Sequence, residues 1–224
     1  MTAPSETVTA AAGAVGADTA VRRLVDVMIA LALLALLSPV LMLVALIVRL
    51  DSPGSVLYRA TRLGRGGEQF AMLKFRTMSV DADRCGPGVS GPRDHRVTRV
   101  GRLLRATKLD ELPQLLNVVV GTMTLIGPRA EAPRYFAFYT SEERRRLLSV
   151  RPGMTGPGQI AFALRQAADL DGVEDPDRYY VEHQLHTKLA IDVAYLDDRR
   201  IGRDARVLLD TVRLMAGSVR ARSD

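Results

Sequence analysis

The chain has 224 residues, 47% apolar and 25% charged, which excludes a disordered polymer and allows one substantial domain, alone or with a membrane element. A net charge of +6, from 31 Lys and Arg against 25 Asp and Glu, suits an anionic partner: phospholipid, nucleic acid or a phosphorylated substrate. The single cysteine, Cys85, excludes an intrachain disulfide, points to a reducing compartment, and reads as a free thiol without a role.

Residues 1–20 are mostly small and nearly uncharged, and predict a disordered leader. Residues 27–48 are almost wholly apolar. As a helix, such a run spans roughly 33 Å, close to the hydrocarbon thickness of a bilayer. It is too long for a signal peptide, and no small-residue cleavage site follows it. Ser38 and Pro39 sit near its middle. Pro39 frees the carbonyl of Ala35 and forces a kink, and the Ser38 hydroxyl is placed to satisfy the freed backbone. Arg22 and Arg23 precede the run, and Arg49, Arg59, Arg62 and Arg65 follow it. The positive-inside rule then puts both ends on the cytoplasmic side. A helix that breaks at Ser38 and Pro39 and returns to the same face satisfies this; an ordinary kinked span is the alternative.

Alternating residues around Val56 to Ala60 and at Phe70 and Met72, with a glycine-rich stretch between, predict a β-hairpin. The loop is not a P-loop, because it lacks the Lys-Ser/Thr ending. Lys74 and Arg76 flank Phe75 and so share one strand face, where they could bind phosphate. Residues 81–94 are rich in Gly, Pro and Asp and read as a loop. Arg96, Arg99, Arg102 and Arg105 form a basic helical stripe, with Leu103 and Leu104 expected on its buried side. Most of that stripe reads as a solvated or headgroup face, but Arg105 lies close enough to Asp110 to share a pocket.

Residues 108–129, KLDELPQLLNVVVGTMTLIGPR, form the central stretch. Leu112, Leu115, Leu116 and Val119 have the spacing of one helix face. Pro113 is tolerated only in a first turn, so the helix is predicted to begin near Leu109 or Asp110. Asp110 and Glu111 then lie at the positive end of the helix dipole. On spacing alone, the preferred reading of Asp110 is a helix cap and of Glu111 a first-turn dipole partner. Adjacent helical residues point about 100° apart, so the two acids would have different jobs.

Tyr135, Phe136, Phe138 and Tyr139 form an aromatic patch suited to a core or a membrane interface. Thr140 and Glu143 predict a capping box on a helix running to about Val150. Residues 151–159 read as a loop. Asp175 and Pro176 open a helix carrying His183, His186, Lys188, Asp192 and Tyr195. The two histidines share a face but have no third ligand nearby, which argues against zinc. A last amphipathic helix covers residues 204–219 and packs on the domain or lies on the membrane.

The cationic cluster and the carboxylate pair suit phosphoryl chemistry. A carboxylate attacks phosphorus directly, or ligates Mg²⁺ together with substrate phosphates. The chain resembles the bacterial sugar transferases, monotopic polyprenyl-phosphate phosphoglycosyl transferases. The resemblance rests on Ser38 and Pro39, KFRTM at 74–78, RVTRVG at 96–101, LDELPQ at 109–114, Asn117 and Val118, GPR at 127–129 and RPGMTG at 151–156, in that order. It departs from the family pattern at Ala130, where proline is usual, and after Gly156.

The resemblance implies an α+β, mostly helical fold. Its parts would be the leader (1–20), a re-entrant membrane helix (21–50) and a catalytic domain (51–224) with a small β-hairpin and amphipathic interfacial helices. It implies the cytoplasmic face of the bacterial inner membrane, with an anionic phospholipid surface. Asp110 would attack the β-phosphate of a UDP-sugar, releasing UMP, and undecaprenyl phosphate would then take the phosphosugar. Mg²⁺ is the implied metal, at Asp110. Glu111 would assist as base or metal partner, and Arg129 and Arg105 would hold phosphate. No nucleic-acid partner is implied, and a homodimer is compatible with it.

Overall fold

The structure is a computed structural model that describes residues 20–80, 82, 86–91, 94–163 and 169–220. The leader expected at 1–20 lies outside the described residues except for Ala20, and Cys85 lies outside them too. The fold is α+β and mostly helical.

Helix α1 (Ala20–Asp51) runs through Pro39 without losing its helical assignment. The Ser38 hydroxyl donates to the Ala35 carbonyl at 2.8 Å, the carbonyl that Pro39 leaves without a backbone partner. Among the described residues α1 is the one helix long and apolar enough to cross a membrane. Its mid-portion is exposed: Leu36 is 73% and Met42 67% accessible. Both ends also carry exposed residues, but each is anchored to the rest of the chain. Near the start, Arg23 donates to the Val118 and Val119 carbonyls, the latter at 2.8 Å, and Asp26 accepts from the Thr124 hydroxyl. Near the finish, Val44 and Val48 pack with Phe75 and Leu104.

The hairpin forms as the alternation predicts, from β1 (Leu57–Leu63) and β2 (Gln69–Phe75), antiparallel with Ala60 opposite Met72. Helix α2 (Arg99–Thr107) is capped by the Thr98 hydroxyl, which accepts from the Gly101 amide. A Cβ at Gly101 would meet the Thr77 carbonyl oxygen at 2.1 Å, so only glycine lets α2 seat against the strand exit. Leu104 is buried as expected, but Leu103 is 60% exposed and belongs to the outer face.

Lys108, the one described non-glycine residue with positive φ (59°), ends α2 in the left-handed region and turns the chain sharply. A 3₁₀ turn, Leu109–Glu111, follows, and only then α3 (Gln114–Val120). The expected helix start is therefore corrected: Pro113 is the cap residue, and both acids precede the helix. Asn117 ties α3 to the hairpin. Its side chain accepts from the Leu73 amide at 2.9 Å and donates to the Ala71 carbonyl at 2.8 Å, imitating a neighbouring strand. This register places Lys74 beside the acidic turn.

Strand β3 (Thr124–Ile126) pairs in parallel with β4 (Gly153–Thr155), so residues 151–159 are not a simple loop. Helix α5 (Pro157–Phe162) follows directly. Between the two strands, a 3₁₀ segment (Pro133–Phe138) carries the aromatic patch into the core: Tyr135 and Tyr139 are buried, and only Phe138 is largely exposed. Helix α4 (Ser141–Leu147) has the predicted capping box but stops short of Val150. Helix α6 (Pro176–Tyr179), a π-helical stretch (Tyr180–Leu185) and α7 (His186–Asp197) run on without a break. Helix α8 (Ile201–Arg220) begins three residues before its expected start. The main core gathers Leu115, Val118, Ile126, Leu185, Tyr195 and Leu196 between α3, β3 and α7.

Candidate active site

The acidic turn forms part of the wall of a cavity of about 1250 Å³ bounded by the hairpin, the 86–91 segment, α2 and the Tyr180 end of the long helix. Among the described residues eleven Lys and Arg line it against three Asp and Glu, which selects for an anionic occupant.

Asp110 is 6% exposed, and its Oδ1 is buried without a hydrogen-bond partner among the described residues. It caps nothing: the 3₁₀ turn has no side-chain cap. Glu111 is held instead. Its Oε1 accepts from Lys74 Nζ at 2.7 Å, and Arg129 Nη2 stands 4.0 Å away. Burial pushes the Asp110 carboxyl up to about 6, and the Glu111 charge adds to this against the pull of Lys74, Lys108 and Arg105. Burial also raises Glu111, but Lys74, Arg129 and Lys108 outweigh it and hold that carboxyl well below the usual range. The pair is thus split into a fixed, ion-paired carboxylate and a more basic one with an open oxygen. Such a split assigns different chemical roles to two acids in one site. Burial lowers the Lys74 ammonium, and Glu111 opposes that shift.

The sequence-predicted cations distribute unevenly. Lys74 joins Glu111 directly. Arg105 reaches the cavity from α2, its Nε donating to the Thr77 hydroxyl at 2.8 Å. Arg129 is set by a turn that β4 grips: Gly153 donates to the Pro128 carbonyl at 2.8 Å, and the Arg129 amide donates to Asp192 Oδ2 at 3.2 Å. Arg76 does not pair with Lys74 as the alternation suggested. It follows β2 rather than belonging to it, and its Nη2 donates to the Ser52 carbonyl at 2.6 Å and the Ser52 hydroxyl at 3.0 Å, fastening the end of α1.

His183 and His186 do not meet. His186 Nδ1 pairs with Glu143 at 2.9 Å, and the His183 ring packs on Tyr179. Among the described residues, no group of three His, Cys, Asp or Glu could hold a metal by itself.

Sequence reasoning missed a buried network behind Arg129. Tyr180 donates to Glu131 Oε1 at 2.8 Å, and Lys188 Nζ donates to the Tyr180 hydroxyl at 3.0 Å with Glu131 3.6 Å away. Asp192 lies one turn beyond Lys188 and accepts from Gly158 at 2.9 Å. The signal was present: Lys188 and Asp192 fall on the apolar stripe of Leu185, Leu189 and Leu196, where charges have no place unless paired. Glu131 carried no such signal.

A family profile described as bacterial sugar transferase matches residues 17–218. The chain is 41% identical over 195 residues to a UDP-glucose:undecaprenyl-phosphate glucose-1-phosphate transferase of Caulobacter vibrioides, covering 85% of this chain and 68% of that protein. It is 36% identical over 201 residues to the exopolysaccharide production protein PSS of Rhizobium leguminosarum bv. phaseoli, covering 87% of this chain and 94% of that protein. The UDP-glucose:undecaprenyl-phosphate glucose-1-phosphate transferase of Escherichia coli is 40% identical over 185 residues, which are 80% of this chain but 39% of the longer protein. Matched across nearly its whole length, and carrying the acidic turn within a cationic cavity, the chain belongs to the bacterial sugar transferase family.

Proposed function

We propose that the protein moves a sugar-1-phosphate from a UDP-sugar to undecaprenyl phosphate, at the cytoplasmic face of the bacterial inner membrane, as the first membrane step of surface-glycan assembly. The observation that carries this reading is the open, buried Oδ1 of Asp110 at the wall of a cationic cavity. The Asp110 carboxylate attacks the β-phosphorus of the UDP-sugar. The bond from that phosphorus to the oxygen bridging to UMP breaks, and UMP leaves with the electron pair. An oxygen of undecaprenyl phosphate then attacks the same phosphorus, breaking the aspartyl–phosphorus bond and restoring the carboxylate. Lys74, Arg105 and Arg129 neutralise the phosphates, and Glu111 stays ionised to hold Lys74 and Arg129 in place.

The residues fit Mg²⁺. Asp110 offers a carboxylate oxygen that no donor uses, and Mg²⁺ takes one or two carboxylates plus substrate phosphates. Asp110, with Glu111 beside it, would hold the ion, which when bound would draw charge from the phosphates.

The re-entrant course of α1 is part of this reading. A straight helix of this length would be roughly 48 Å long. Here the Arg23 end and the Val48 end both touch the same globular body, which supports both ends lying on one side of a bilayer. In a Cys85→Ser background, cysteines placed by Val21→Cys and Ser55→Cys should label from the same side of sealed vesicles. Adding Pro39→Ala should move the two labels toward opposite sides. Opposite-side labelling without Pro39→Ala would overturn the re-entrant course, and unchanged labelling with it would leave Pro39 without this role.

The activity is tested by UMP release from a panel of UDP-sugars, using detergent-solubilised protein, Mg²⁺ and undecaprenyl phosphate. Release with at least one sugar is expected. Absence of release with every sugar, from protein that keeps its melting transition, would contradict the reading.

A further inference from the structure

Arg62 is absent from the motifs that carry the family resemblance, yet the structure leaves it in an unusual state. It lies on β1, on the same face as the buried Ala60, and it lines the cavity. Among the described residues its guanidinium makes no hydrogen bond and no ion pair, and its Nε is sealed from solvent. Arg62 is half-buried, and the one donor of its planar fork that is shut off from water, Nε, is left unused, which is costly unless something else fills it.

Its neighbours make the state more telling. Burial lowers its basicity first, and the adjacent Arg129 charge lowers it further; Glu131 opposes both. The nearby carboxylates are already engaged. Glu111 is held by Lys74, and Glu131 by Tyr180 and Lys188. The Arg62 guanidinium thus stands beside the like charge of Arg129 with no carboxylate bonded to it, while the anion nearest the Arg129 guanidinium, Glu111 at 4.0 Å, is already shared with Lys74. A phosphate between the two arginines would remove the repulsion and use the idle donors.

We propose that Arg62, with Arg129, grips the phosphate that departs with UMP. This rests on the proposed transfer reaction and extends it to a residue and a bond. The attacked phosphorus must sit against Asp110, beside the Glu111–Lys74 pair. Arg62 stands opposite Phe70, further along the hairpin than the position where Lys74 faces Tyr58, and so lines the cavity wall beyond that pair. As the bond to UMP breaks, negative charge grows on the departing phosphate, where a fixed guanidinium stabilises it. Once UMP has left, Arg62 has no further part, so discharge of the phosphosugar from Asp110 to undecaprenyl phosphate does not use it.

The test uses the full chain in detergent, with UMP as the probe. Arg62→Met should weaken UMP binding about ten- to a hundredfold, the range for a hydrogen bond to a charged group. Arg62→Lys should fall between Met and wild type. Formation of the Asp110 adduct should slow, while discharge of preformed adduct to undecaprenyl phosphate keeps its wild-type rate. The empty Arg62→Met protein should melt at or above the wild-type temperature, because an uncompensated charge has been removed. Two results would overturn the proposal: UMP affinity within twofold of wild type, or a loss of folding in Arg62→Met that Arg62→Lys restores, which would mark a structural arginine. The two levels separate cleanly. A wild-type chain that forms the adduct alongside an indifferent Arg62→Met removes only the Arg62 assignment, whereas a wild-type chain that forms no adduct removes the transfer reading itself.

Discussion

Replacing Asp110 by asparagine should abolish UMP release from a UDP-sugar and at the same time raise the melting temperature. The chemical half follows from the proposed role: an amide has no carboxylate oxygen with which to attack phosphorus. The stability half follows from the direction of the shift. The Asp110 carboxyl is raised in the folded protein from 3.8 to about 6 by burial and by Glu111. A folded-state value above the unfolded one means that the folded form binds the proton more tightly. Stability from this group is then complete below pH 3.8 and declines as pH rises through 6. At pH 7 the ionised carboxylate opposes folding by an amount on the order of 2–3 kcal/mol, from a shift of about two units. Asparagine removes that penalty, and the gain should appear as several degrees, at about 2–4 °C per kcal/mol for a domain of this size. The gain should shrink toward pH 4, where wild-type Asp110 is already protonated. Melting curves of both proteins at pH 4.5 and 7.5 without Mg²⁺, beside UMP release at pH 7.5 with it, check both halves. An Asp110→Asn protein less stable than wild type at pH 7.5 would contradict the burial argument, whatever its activity.

Lys74→Met should act in the opposite direction on stability and in the same direction on activity. Lys74 and Glu111 have side chains 16% and 19% exposed, with 2.7 Å between Nζ and Oε1. Removing the ammonium leaves a mostly buried carboxylate whose next cation, Arg129, is 4.0 Å away. Breaking one side of a buried pair costs about 3–5 kcal/mol, and Arg129 should keep the loss near the lower end. Transfer should fall by roughly 10²–10³, because a fixed cation at the reacting phosphate is lost. Glu111→Gln combined with Lys74→Met should restore much of the stability and none of the activity, since the stranded charge is gone but the phosphate cation is still missing. Thermal melts and initial rates on the single and double variants measure this; a Lys74→Met protein as stable as wild type would mean that the pair carries no structural weight.

How much was legible in the sequence depended on whether the signal was local. The long apolar helix, the hairpin and the capping box at Thr140 and Glu143 are written in short-range patterns, and they appear where predicted. The pairing of the Ser38 hydroxyl with the Ala35 carbonyl follows from proline chemistry alone. The helix start was misread because Pro113 fits a first turn and a cap residue equally well. What decides is the left-handed Lys108, and nothing in the residue type lysine announces positive φ. The parallel pair β3–β4 joins segments nearly thirty residues apart through three-residue strands, too short to show alternation. Arg76 was grouped with Lys74 by alternation, but the strand ends at Phe75 and the guanidinium turns to Ser52. Glu131 meets Tyr180 from 49 residues away along the chain, and Lys188 with it, a long-range contact that no local pattern announces. Within the site, LDELPQ and GPR named Asp110, Glu111 and Arg129. The split between the two acids, one open and one ion-paired, depended on the register that Asn117 imposes between α3 and β2.

The most direct test weighs the protein itself. Incubated with a UDP-sugar and Mg²⁺ but no undecaprenyl phosphate, then quenched in acid and digested, the wild-type chain should yield a peptide containing Asp110 heavier by one sugar phosphate. The same peptide from Asp110→Asn should keep its unmodified mass. If UMP is released while no Asp110 peptide ever gains that mass, the carboxylate does not carry the sugar phosphate and the covalent route is wrong.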